Sequence, residues 1–375
     1  MAPPRPPPPL TDDLVSEILL RLPPDEPGRL FRACLVCKPW RDLLSEPGFC
    51  RRYRAFHHRT PPVLGFLRCN SFVFTSTAAS QLCPPVLDSL ATVGLDCRHG
   101  RVLLHSIDPT GLLLWDPISG NEQLLPEVPR DPTYNHITGA VLCATDGCNH
   151  IDCREGPFLV VFAATADEEV AEDVISVTWV SVYLSETGAW SAPASIHLGP
   201  ISRSREMMGP SVLVGDALYF LLEDGRRILK YELGSRGLSV MNAPPLRVGN
   251  MALVKAEDGG LGAAGVKGYG LHLWSWKGGA AGAGWVKGRV IELDMMLSMG
   301  IGDPSTKLLV VGFSEGANTI FVSSNAGIFA VDLKSDRIKK ISEGGDFSAI
   351  MPYAGFYTPD YASWGLQLQP HVRMQ

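Results

Sequence analysis

The chain has 375 residues, 45% of them hydrophobic and 19% charged, so it carries enough apolar side chains for packed cores and is not a disordered polyelectrolyte. Its 38 glycines and 30 prolines favour an architecture of many turns over one of long helices. The formal net charge of -6 is uneven: residues 1–60 hold ten Lys/Arg against seven Asp/Glu and the remainder 23 against 32, and an acidic body argues against nucleic acid as the main ligand.

Residues 1–9, with Pro3, Pro4 and Pro6 to Pro9, read as a disordered Pro-rich leader, because proline offers no backbone donor and holds the chain extended. They contain no apolar core for a secretory signal. No stretch approaches the ~18 uninterrupted apolar residues of a membrane span. Nine cysteines, an odd number, fit a reducing compartment better than a disulfide framework. The expected location is therefore the cytoplasm or nucleus, with no membrane partner.

Residues 10–56 read as helical. Thr11 is placed to cap a first helix with Asp12 and Asp13 in its first turn, and Val15, Ile18, Leu19 and Leu22 fall at i, i+3, i+4 and i+7, a stripe broadened by Leu14. Pro23-Pro24 stops it. A second helix capped by Asp25 carries Leu30, Ala33, Cys34 and Cys37 inward, with Leu35 and Val36 beside them. Pro39 opens a short third helix holding Trp40, Leu43 and Leu44, which Pro47-Gly48 ends, while Phe49, Tyr53 and Phe56 continue an aromatic edge. Three such helices bury little surface alone, so a partner for that surface is expected.

After a linker over 57–62, residues 63–360 change to short apolar runs separated by Gly, Asp, Asn and Ser, the chemistry of strands and turns, and 361–375 form a tail. A loose unit recurs in which a strand with a terminal aromatic meets a polar turn and a second strand. The matched aromatics Trp115, Tyr183, Tyr231, Trp274 and Phe329 are 68, 48, 43 and 55 residues apart, close to the ~40–50 of a four-stranded propeller blade. Phe72 to Phe74 mark an earlier copy. About six blades fit, because a lone four-stranded sheet cannot bury both faces whereas sheets stacked radially cover one another.

The run Leu10 to Pro23, with Leu30, Arg32-Ala33, Leu35-Val36-Cys37-Lys38 and Trp40-Arg41-Asp42-Leu43-Leu44, resembles an F-box over about 45 residues. Leu114-Trp115-Asp116-Pro117-Ile118-Ser119-Gly120 with Leu125-Pro126, and Leu218-Tyr219-Phe220 with Ile228 to Leu233, resemble the β-propeller that follows the F-box in many plant proteins. The fold class expected is α+β multidomain, a short three-helix F-box followed by an all-β propeller of about six kelch-like blades. The resemblance implies binding to the Skp-type adaptor of an SCF ubiquitin ligase and, through it, to cullin and RING subunits, with the propeller holding an unknown target protein. By the same resemblance the adaptor surface includes Leu10, Leu14, Ile18, Leu22, Pro23, Val36, Cys37 and Trp40; several of these also suit the head's own core.

Other motifs weigh less. Cys143, Cys148, His150 and Cys153 place four soft ligands within eleven residues, enough for a Cys3His zinc site, but the spacing matches no paired knuckle and a solvent-facing insertion loop is favoured, so no cofactor is expected. Gly312-Phe313-Ser314-Glu315-Gly316 spells a nucleophile elbow without the helix an elbow needs, and a hairpin is expected. Gly260 to Gly265 spells a dinucleotide fingerprint without the following helix or the acidic residue, and reads as a loop, as does Gly278 to Gly284. Arg51, Arg52 and Arg54 with His57, His58 and Arg59 read as a solvated helix end. Nothing supports catalysis by this chain alone. The rivals to the ligase reading are a scaffold or regulator acting outside a ligase and a propeller enzyme with a helical accessory head.

Overall fold

Residues 11–57, 61–68, 74–77, 79–80, 84, 92–107, 110–129, 136–150, 153–170, 173–199, 210–222, 225–246, 251–278, 282–293, 307–343 and 349–357 are described by a computed structural model of the chain. The leader, Leu10, His58, Arg59, Phe72 and the tail lie outside the described residues.

The head consists of α1 (Asp12–Leu19), α2 (Pro27–Cys34), α3 (Lys38–Leu44) and α4 (Pro47–Phe56). Three of the four have proline in the first two positions, where its missing N–H would have no helical partner in any case. This is why Pro47, read from sequence as a stop, also starts a helix, and why the aromatic edge is a fourth helix. Phe49 and Tyr53, four residues apart on α4, are buried with their rings stacked 6.0 Å apart. They complete a core with Val15, Leu19, Leu20, Leu30, Ala33, Cys34 and Leu44. The Tyr53 hydroxyl donates to the Leu22 carbonyl at 2.9 Å, and burial pushes the Cys34 thiol up to about 11.

Three expectations for the head change. Ile18 and Leu14 do not join the inward stripe, since Val15 and Leu19 with Leu20 fill the core and the other two face outward. Cys37 is exposed and caps α3, because α2 ends at Cys34 and its helical period stops there. The basic run on α4 is not wholly solvated either: Arg54 is buried, and Arg52 meets Glu17 at 3.0 Å and Ser16 Oγ at 3.1 Å.

Six antiparallel sheets follow. Blade 1 joins β1 (Val63–Arg68) and β2 (Phe74–Ser76) to the last strand, β24 (Ile350–Ala354). Blade 2 is β3 (Thr92–Arg98), β4 (Arg101–Ile107), β5 (Thr110–Trp115) and β6 (Glu122–Leu124). Blade 3 is β7 (His136–Cys143), β8 (Phe158–Val170), β9 (Asp173–Leu184) and β10 (Ala189–Trp190), with β11 (Ala194–Gly199) also on β9. Blade 4 is β12 (Val212–Val214), β13 (Ala217–Leu221), β14 (Arg227–Glu232) and β15 (Leu238–Asn242). Blade 5 is β16 (Met251–Lys255), β17 (Leu261–Lys267), β18 (Gly270–Lys277) and β19 (Gly284–Glu292). Blade 6 is β20 (Leu309–Ser314), β21 (Thr319–Ser324), β22 (Gly327–Asp332) and β23 (Ile338–Glu343).

Each junction between neighbouring blades has its own apolar cluster. Tyr353 meets Val102 and Trp115, Leu103 meets Val160 and Trp179, and Val161 meets Leu218 and Tyr231. Around the rest of the ring Val212 packs with Met251, Leu271 with Phe329, and Phe321 with Phe66 and Ile350. The radial stacking therefore does bury both faces of each sheet. The ring is closed by β24, which pairs with β1 and lies against both β20 and β3.

The five marker aromatics all sit in the third strand of their blades: Trp115 in β5, Tyr183 in β9, Tyr231 in β14, Trp274 in β18 and Phe329 in β22. The repeat legible in the sequence is thus the outer hairpin of each blade. Its turn is also recurrent. Asp116 accepts from the Ile118 N–H and the Ser119 hydroxyl, Glu232 from the Ser235 hydroxyl, and Asp332 from the Lys334 and Ser335 N–H groups. Such local acceptors replace the sheet ladder while the chain reverses.

Residues 261–265, expected in a loop, are the second strand of blade 5. The small residues permit close packing: Ala263 and Ala264 are fully buried, Ala263 opposite Trp274, and a Cβ on Gly262 would stand 3.1 Å from the Trp274 carbonyl.

At the axis, Arg98 at the end of β3 reaches Asp96 at 2.5 Å, Glu315 after β20 at 3.1 Å and Ser211 Oγ before β12 at 3.1 Å. Asp96 also accepts the Val141 N–H of β7 at 2.8 Å. One guanidinium therefore links blades 2, 4 and 6 across the ring, and its partner carboxylate reaches blade 3.

The head rests on the closing blade. Phe356, two residues past β24, packs on the head core with its ring 6.4 Å from that of Tyr53, and the Gly355 N–H donates to the Pro62 carbonyl at 3.1 Å. Among the described residues no helix is long and apolar enough to cross a membrane.

Candidate functional site

The head's core is complete, yet its surface remains apolar in two places. Leu14 and Ile18, four residues apart on one face of α1, are 53% and 50% exposed. Leu35 and Val36, in the turn between α2 and α3, are 60% and 62% exposed, and the exposed Cys37 follows. Of the remaining sequence-predicted residues, Pro23 is partly buried, and Leu22 and Trp40 are partly buried against the head core. The eight thus divide into an exposed group (Leu14, Ile18, Val36, Cys37), a half-buried group (Leu22, Pro23, Trp40) and Leu10, which is not described.

Leu35 is the residue the sequence reading missed. A signal was present: Pro39 has no N–H to give the Leu35 carbonyl, so no helix runs through it, and α2 ends at Cys34 with Leu35 and Val36 in the turn before α3. Burying a leucine or valine side chain contributes about 1.5–3 kcal/mol. Leu14, Ile18, Leu35 and Val36 are four large apolar side chains at least half exposed on a head of four short helices.

A second group of side chains converges at the far end of β7. Cys143, Cys148, His150 and Cys153 bring their ligand atoms within 4.8 Å of one another. The His150 ring lies 4.4 Å from that of His99 in the β3–β4 turn, and burial, with His150 and Arg98 adding to it, pushes the His99 imidazole down to about 3. Burial and the neighbouring Cys143 push the Cys153 thiol up to about 12. Arg154 pairs with Asp116 at 3.3 Å, so this loop leans on the turns of blade 2.

The remaining motifs resolve as structure. Ser314 is the buried last residue of β20 and the chain turns directly into β21, which is the hairpin expected and not an elbow.

Comparison with known proteins agrees with this architecture. The F-box domain model matches residues 9–52, and the model described as F-box protein AT5G49610-like, beta-propeller, matches residues 94–361. A curated relative, F-box protein At5g03970 of Arabidopsis thaliana, is 21% identical over an alignment 389 positions long, covering 92% of this chain and 87% of the relative. Among solved structures, the WD40 domain of SCAP from fission yeast aligns with TM-score 0.37 and 14% identity over 70% of this chain and 54% of that one. A nidogen/laminin complex chain aligns with TM-score 0.41 and 11% identity over 76% and 95%. Superpositions this loose carry no argument. The propeller match alone spans more than half of the sequence, and together with the match of the head it makes this chain a member of the AT5G49610-like family of F-box propeller proteins.

Proposed function

We propose that the chain is the substrate-recognition subunit of an SCF-type ubiquitin ligase. In this reading Leu14, Ile18, Val36 and Cys37, with Leu35 and the half-buried Leu22, Pro23 and Trp40, bind the Skp-type adaptor, and through it cullin and RING subunits. The propeller binds the target protein. The observation that carries the reading is the exposed leucine, isoleucine and valine set on a head whose own core is already filled, since apolar anchors of this kind dominate protein interfaces. The chain performs no bond chemistry itself. It works in the cytosol or nucleus by holding target lysines near a ubiquitin thioester, which raises their effective concentration.

Co-expression with a Skp-type adaptor and cullin tests this. The wild-type chain is expected to co-purify with both, whereas Leu14→Ala with Ile18→Ala is expected to lose capture while keeping the melting temperature. These two side chains suit the test better than Leu22 or Pro23, because Leu22 packs against the head core and its loss would disturb the fold as well. Undiminished capture by the double variant would overturn the assignment.

A further inference from the structure

The Cys143, Cys148, His150 and Cys153 cluster stands outside the adaptor reading and has the chemistry of a metal site. We propose that these four side chains bind one Zn2+ ion, and that the ion folds the β7–β8 loop against blade 2.

The donor geometry is the first argument. A tetrahedral zinc ion with Zn–S near 2.3 Å and Zn–N near 2.0–2.1 Å sets its ligand atoms roughly 3.5–3.8 Å apart. The Cys153 Sγ to His150 Nδ1 separation is 3.8 Å, and all ligand atoms lie within 4.8 Å of one another. Closing the set onto an ion needs a contraction of about 1 Å at its widest. Three sulfurs and one imidazole fill all four positions, so the site is closed and structural rather than catalytic.

The backbone is arranged around sulfur in the same way twice. The Thr145 N–H donates to Cys143 Sγ at 3.4 Å and the His150 N–H to Cys148 Sγ at 3.3 Å. In each case an amide two residues on turns back to the sulfur, which stabilises a thiolate and so supports a ligand bond. His150 holds φ at 55°, a left-handed conformation that costs a non-glycine residue energy and that places the imidazole in the cluster.

Charge and packing agree. Zn2+ with three thiolates and a neutral imidazole carries one net negative charge, and the buried Arg101 guanidinium lies within electrostatic reach of Cys143 and Cys153 while donating to the Gly156 carbonyl at 2.5 Å. The hairpin itself is complete at the loop's base, where the Ala144 N–H donates to the Pro157 carbonyl at 3.0 Å. Beyond that base the described loop residues contribute Cys153 as their buried apolar side chain. An ion supplies the cohesion that a core would otherwise provide.

The test uses the full chain, expressed in zinc-supplemented medium and purified without chelator. Elemental analysis is expected to find about one Zn2+ per chain. Cys148→Ser and His150→Ala are expected to lose most of it, and Cys50→Ser, in the head, to keep it. Cys148 and His150 are not buried, so these variants fold even where Cys153→Ser does not. Replacement of zinc by Co2+ is expected to give thiolate charge-transfer and tetrahedral ligand-field absorption. Protein that carries no zinc and shows no such absorption with Co2+ would overturn the proposal. So would copper or iron in place of zinc, or a disulfide among Cys143, Cys148 and Cys153 in chains alkylated at lysis.

Discussion

The head and the ring satisfy their apolar surface in opposite ways. The head packs nine side chains into its core and still leaves Leu14, Ile18, Leu35 and Val36 half exposed or more. The ring, several times longer, exposes large apolar side chains such as Ile107, Leu124, Val286 and Val290, and these are divided between blades 2 and 5. A closed ring of sheets satisfies itself junction by junction, whereas a four-helix head of this size has too little interior to bury all its apolar side chains. The ring thus completes its burial within itself, while the head keeps part of its apolar surface in water.

The comparison can be broken most sharply at the axis. Arg98→Ala removes the charge that faces Asp96 and Glu315 and leaves the buried Asp96 carboxylate without a counter-charge, which is expected to destabilise the ring by about 4 kcal/mol. Asp96→Asn combined with Arg98→Met is expected to recover part of that loss. Urea unfolding of the three proteins checks both statements, and equal stability of wild type and Arg98→Ala would show that the axial network carries no weight. Next in size, Tyr231→Ala opens a cavity at the junction of blades 3 and 4 and is expected to cost about 3 kcal/mol. The folded fraction should still capture the adaptor. Loss of capture by the folded fraction would mean the two regions are not separate in their roles.

The Leu14→Ala and Ile18→Ala pair makes the converse case. It is expected to weaken adaptor affinity by about 2 kcal/mol, read by titration calorimetry, with the melting curve unmoved. Smallest is the turn of blade 6. Asp332 is opposed by burial, but the Ser335 and Lys334 N–H groups hold its carboxyl below the ordinary value. A carboxyl depressed in the folded state stabilises the fold above its unfolded pKa, and that contribution fades as the pH falls through the folded value. Asp332→Ala is therefore expected to cost about 1 kcal/mol near neutrality and progressively less in acid. An unchanged difference down to low pH would assign the effect to something other than the carboxylate.

What was legible in the sequence follows the range of the interactions. The outer hairpins could be read because an aromatic and a polar turn lie within a few residues of each other, as at Trp115 and Asp116. The inner strands could not, since β12 has three residues and Ser211, just before it, meets Arg98 from 113 positions away in the sequence. The pairing of β1 with β24 joins residues almost 300 positions apart, and no local pattern announces it. The fourth helix was hidden by Pro47, which ends one element and begins the next. At the candidate surface, apolar type was plain from residue identity, but direction was not. Leu14 and Leu19 look alike in a sequence, and only packing decides that one is outside. The four metal-type side chains were visible as a cluster, while their convergence depends on a left-handed His150 that spacing alone does not reveal.

The seam at which the ring closes also orders events in time. Phe356, which packs against Tyr53, follows the end of α4 at Phe56 by 300 residues. At translation rates of about 5–20 residues per second, the head is therefore exposed on the nascent chain for roughly 15–60 s before its ring-side cover is made. During that interval both its outer apolar face and the surface awaiting Phe356 are open. An adaptor that binds early would meet the head while the propeller is still an open row of blades, and would act for that time as a chaperone as well as a partner.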